Sequence, residues 1–81
     1  MPNEVEETLR VINSDIDFHK LKLNEFDETG HFIKDLEIPE EHKQNILECI
    51  DFKMDFHTHQ ITKLINARYE IMSKYNMEME E

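Results

Sequence analysis

The sequence predicts an all-α protein: an antiparallel helical hairpin with a long second helix and a short packed connector, completed as a helical bundle by self-association. Three observations predict it. One glycine and two prolines in 81 residues leave little to interrupt a helix. Two stretches, residues 5–26 and 47–75, repeat apolar side chains at alternating steps of four and three, the spacing of a helical seam. The segment between them is apolar at Phe32, Ile33, Leu36 and Ile38 and so reads as packed rather than solvated.

The first helix is expected over residues 3–28. Asn3 can accept from free amides at its start, and Glu4, Glu6 and Glu7 suit the positive end of the helix dipole. Its seam is Val5, Leu9, Ile12, Ile16, His19, Leu23 and Phe26. Asn13-Ser14-Asp15 are weak helix formers, but the seam stays in phase across them. Thr29-Gly30 reads as a stop, with glycine as left-handed cap. Residues 29–38 form the connector. Pro39 then suits the first turn of a second helix over 39–76, with the seam Leu47, Ile50, Met54, His57, Ile61, Leu64, Arg68, Ile71 and Tyr75. Residues 77–81 form an acidic tail. The chain reads as one domain without repeat, low-complexity tract or internal boundary.

Laid head to tail, the two seams match when paired residue numbers sum to 76 or 77. Val5 then meets Ile71, Ile12 meets Leu64, Ile16 meets Ile61, His19 meets His57 and Phe26 meets Ile50. Two helices have a single interface, so a second copy completing a four-helix bundle is the simplest way to bury more. Stripes that face away from the seam could serve it: Cys49, Phe52 and Phe56 on the second helix, and Val11, Phe18 and Leu21 on the first. Phe52, Phe56, Cys49, Phe18 and Leu21 are therefore the candidate partner-binding residues. The alternative for Phe52 and Phe56 is closure by the connector.

Nineteen acidic residues against nine basic give a formal charge of −10, which disfavours direct contact with nucleic acid or anionic lipid. The lone Cys49 permits no internal disulfide and reads as a buried thiol. With no signal-like start and no membrane-length apolar run, the expected location is cytoplasmic. No nucleophile motif, glycine-rich phosphate loop or paired-cysteine motif is present, so neither enzyme nor cofactor is expected. Asp55 and His59 stand at a ligand spacing on one helix face, but further metal ligands would have to come from elsewhere. His19 and His57 fall in one seam layer and are candidates for a register or pH-sensitive role, as is Arg68, with Glu6 or Glu7 as its expected partner. The functional expectation is a small acidic regulator, inhibitor or assembly subunit that binds another protein. The alternatives are an acidic nucleic-acid mimic that occupies a DNA- or RNA-binding protein, and a histidine/carboxylate metal binder.

Overall fold

The computed structural model describes residues 3–75, which form two helices and no strand: α1 (Asn3–Asp35) and α2 (Glu40–Lys74). They lie antiparallel along one continuous interface, in a body about 57 Å long and 19 Å by 14 Å across. The expected acidic tail lies outside the described residues.

The register has its clearest marker at the middle of the hairpin, where His19 Nδ1 lies 2.7 Å from His57 Nδ1. On either side, Val5 and Ile71 line one hollow, Ile12 and Leu64 another, and Phe26 and Ile50 a third. Each of these pairs sums to 76, as the matched seams require. The core is thus the seam itself. On α1 it buries Val5, Leu9, Ile12, Ile16, His19, Gly30 and Ile33, and on α2 Ile50. Ile16 is the most enclosed, at 3% exposure. No described side chain is fully buried, and the α2 seam residues Leu47, Met54, His57, Ile61, Leu64, Arg68 and Ile71 are half-buried.

Thr29-Gly30 does not stop α1. The helix runs on to Asp35, and Thr29 Oγ1 donates to Glu25 O at 2.9 Å, as a hydroxyl does inside a helix. The reason is phase: Phe26, Gly30 and Ile33 continue the steps of four and three, so the next turn still has a buried side to gain. Burying that turn outweighs the roughly 1 kcal/mol that glycine costs inside a helix. The connector is accordingly residues 36–39, not 29–38. Leu36 N–H donates to Ile33 O and Ile38 N–H to Leu36 O, both at 3.1 Å. Lys43, one turn into α2, reaches back to donate from Nζ to Lys34 O at 2.9 Å, capping a free carbonyl of the last α1 turn. Pro39 sits just before α2, where its carbonyl accepts from Lys43 N–H at 3.1 Å. So short a connector covers neither aromatic stripe: Phe52 is 76% exposed and Phe56 52%. Phe32, expected to help close over them, is itself 62% exposed on α1.

Neither helix is long and apolar enough to cross a membrane.

Candidate functional site

At the middle of the hairpin, each helix contributes a phenylalanine followed by a histidine. His19 and His57 are seam residues, so each points at the opposite helix. The residue just before a seam position is turned about 100° from it. In antiparallel helices that turn carries both preceding residues to the same side. Phe18 and Phe56 therefore flank the histidine pair on one side of the hairpin. The ring geometry shows the arrangement. Phe18 lies 5.3 Å from His19 and 6.4 Å from His57; Phe56 lies 5.3 Å from His57 and 6.5 Å from His19. All four ring pairs meet edge to face, a favoured geometry for aromatic pairs. Phe26, two seam positions beyond His19, stacks on His57 at 5.7 Å.

These near-equal distances describe a local two-fold axis through the histidine contact. Its signature is in the sequence: Asp17-Phe18-His19 recurs as Asp55-Phe56-His57, 38 residues later. The same offset pairs Leu9 with Leu47, Ile12 with Ile50, and Ile33 with Ile71. A reading of the seams alone finds no repeat, because it asks only whether a position is apolar.

The two histidines do not have equal surroundings. Four residues before His19 is Asp15, whose Oδ2 lies 3.5 Å from His19 Nε2. Four residues before His57 is Lys53. A carboxylate at Nε2 favours the proton there on His19, which leaves its Nδ1 as acceptor and His57 Nδ1–H as donor in the 2.7 Å bond. The pKa of His57 is lowered, first by desolvation and then by the charges of His19, Lys22 and Lys53. Lys22 Nζ also stands 5.6 Å from the centre of the Phe18 ring and 3.6 Å from Glu25 Oε1.

The other expected site residues fall elsewhere. Phe52 lies further round the back of α2, and no ring contact ties it to the Phe18–Phe56 centre. Leu21 is 56% exposed on the back of α1. Cys49, read from sequence as a buried thiol, is exposed; it directly precedes the seam residue Ile50, so it lies on the Phe18–Phe56 side, two turns from Phe56, where α1 does not cover it. Arg68 does not pair with Glu6 or Glu7. Its Nη1 donates to Asn13 Oδ1 at 2.9 Å, which carries the side chain across the seam. Glu7 pairs with Arg10 instead. Asp55 and His59 are exposed, and among the described residues no three His, Cys, Asp or Glu side chains gather where a metal ion could be held.

Beside Phe18 is an open hollow of about 560 Å³, floored by Val11, Ile12, Phe18 and Leu64 and edged by Glu7, Arg10, Ser14 and Asp15. Val11 and Phe18 remain 63% and 48% exposed. This side of the hairpin thus combines exposed aromatic rings with a shallow apolar recess, the chemistry of a protein-contact surface.

Comparison with protein-family models, curated proteins and solved structures finds no match.

Proposed function

We propose that the protein is a non-enzymatic protein-binding module, a regulator, inhibitor or assembly subunit, that works through the Phe18–Phe56 side of its hairpin. The observation that carries this reading is the pair of half-exposed phenylalanines held on one side by a hydrogen-bonded histidine pair. A half-exposed aromatic ring fixed by its neighbours loses little conformational freedom when a partner covers it. The test is affinity capture from cells that make the protein, comparing wild type with Phe18→Ser/Phe56→Ser, and with Phe52→Ser as control. The reading expects a partner that is retained by wild type and by the control, is lost by the double variant, and binds directly once purified. Equal retention by all three chains would count against it.

A second reading, the acidic decoy for a nucleic-acid-binding protein, is favoured by the opposite side of the hairpin. The positions just after the seam there carry Glu6, Asp17, Asp27, Glu48, Asp51 and Asp55 against Arg10, Lys20 and Lys34. Such binding would weaken steeply with salt and ignore the Phe18/Phe56 substitutions.

A further inference from the structure

We infer that the first occupant of the Phe18–Phe56 side is a second copy of this chain, hairpin on hairpin, with α1 antiparallel to α1 of the other copy. This rests on that side being the contact surface and specifies what covers it.

Three observations lead to a copy rather than a foreign protein. The first is charge. The chain carries −10, yet along the middle of the seam, Ile12 to Phe26 and Ile50 to Leu64, the positions just before the seam residues hold Lys22, Lys53 and Lys63 against Asp15 and Glu25, a net of +1, with Glu4 and Glu70 only at the open end. The positions just after them hold four aspartates against one lysine, a net of −3. Two chains of −10 can meet closely only where the local charge is balanced, and this is that side.

The second is complementarity to itself. In an interface between identical chains, each patch must match its own rotated image. Rotating α1 onto a second α1 about a two-fold axis at Phe18 sets Asp15, three residues before, against Lys22 of the second copy, four residues after. The contact is made twice. Phe18 then meets Phe18, and the local two-fold of the hairpin sets Phe56 against Phe56, so four rings form one layer. The recess floored by Val11, Ile12 and Leu64 leaves room beside that layer for interdigitating side chains.

The third is area. The chain exposes 6320 Å² in all, so one side of the hairpin can supply the roughly 800 Å² per partner, about an eighth of that surface, that stable complexes cover. A hairpin with no fully buried side chain has much to gain from that contact.

The experiment is light scattering with gel filtration over a range of concentrations, with circular dichroism to check that each variant is helical. Wild type is expected at twice the 9.8 kDa chain mass, and Phe18→Asp/Phe56→Asp at the single mass. Because the double variant could also lose its fold, a surface pair is measured beside it. Asp15→Lys and Lys22→Asp are each expected to raise the dimer dissociation constant about tenfold, and the two together to restore it. A monomeric wild type, or a double charge swap no better than the singles, would overturn the inference. A monomeric wild type that still captures a partner through Phe18 and Phe56 would overturn self-association alone and leave the contact surface standing.

Discussion

The two halves of the hairpin carry the same Asp-Phe-His tripeptide in the same geometry, yet their surroundings differ. The pair Ile12 and Ile50 is buried alike, at 8% and 7% exposure, but beside the histidines α1 is the better buried: Ile16 is 3% exposed where its counterpart Met54 is half-buried, and His19 is 8% exposed where His57 is half-buried. Their charges differ too, with Asp15 set against Lys53. A local two-fold axis therefore fixes where the side chains sit, while the residues one turn away decide how much each is worth and where the protons go.

The largest expected effect breaks that equivalence at the core. Ile16→Ala should cost about 3 kcal/mol, in the range for truncating an enclosed isoleucine, and Met54→Ala no more than about 1 kcal/mol. Urea unfolding at one fixed protein concentration measures both. Equal losses would mean that the difference in burial has no energetic content.

Next comes the shared hydrogen bond. His19→Ala and His57→Ala should each cost about 1–2 kcal/mol, and the double variant less than their sum, because the same bond is removed by either. Strict additivity would show that the 2.7 Å contact contributes nothing in solution.

Gly30 has its counterpart in Arg68, and here the halves differ most in size. A Cβ added at Gly30 meets nothing within 4 Å. Gly30→Ala should therefore stabilise α1 by about 1 kcal/mol, seen as a rise of several degrees in Tm. A loss of stability would show that the turn at residues 29–31 is not the uninterrupted helix described.

The smallest effect is on pH. The folded-state pKa of His57 lies below its ordinary value, so between the two the unfolded chain binds a proton that the folded chain does not. Stability is then undiminished above about pH 6.5 and declines as pH falls below it. Tm should be lower at pH 5.5 than at pH 8. Lys53→Gln removes the smallest of the contributions that lower this pKa and should lessen the dependence slightly, while leaving the pH 8 value almost unchanged.

How much of this was legible in the sequence depended on how many helices a question involved. The seams were readable because each is a property of one helix, and their register followed from matching two lists. The end of α1 does not follow from glycine as a residue type, because Gly30 is also the next in-phase position after Phe26 and the helix gains by continuing. Cys49 reads as buried because it falls on an apolar stripe, yet that stripe faces no second element. Helical spacing on one helix groups Phe56 with Phe52. The partner Phe56 has across the hairpin, Phe18, emerges only when both helices are placed. Arg68 was expected to find a carboxylate by charge, but Asn13 is what stands within reach.

The four-residue connector also governs how the chain reaches this state. Joining Phe26 to Ile50 closes a small loop, whereas joining Val5 to Ile71 closes one nearly the length of the molecule. The cheapest first step is thus at the turn, and each layer formed shortens the search for the next, so assembly proceeds like a zip from the connector outward. Amide exchange should follow the same order in reverse, with the layer at Val5 and Ile71 opening first and the turns beside the connector last.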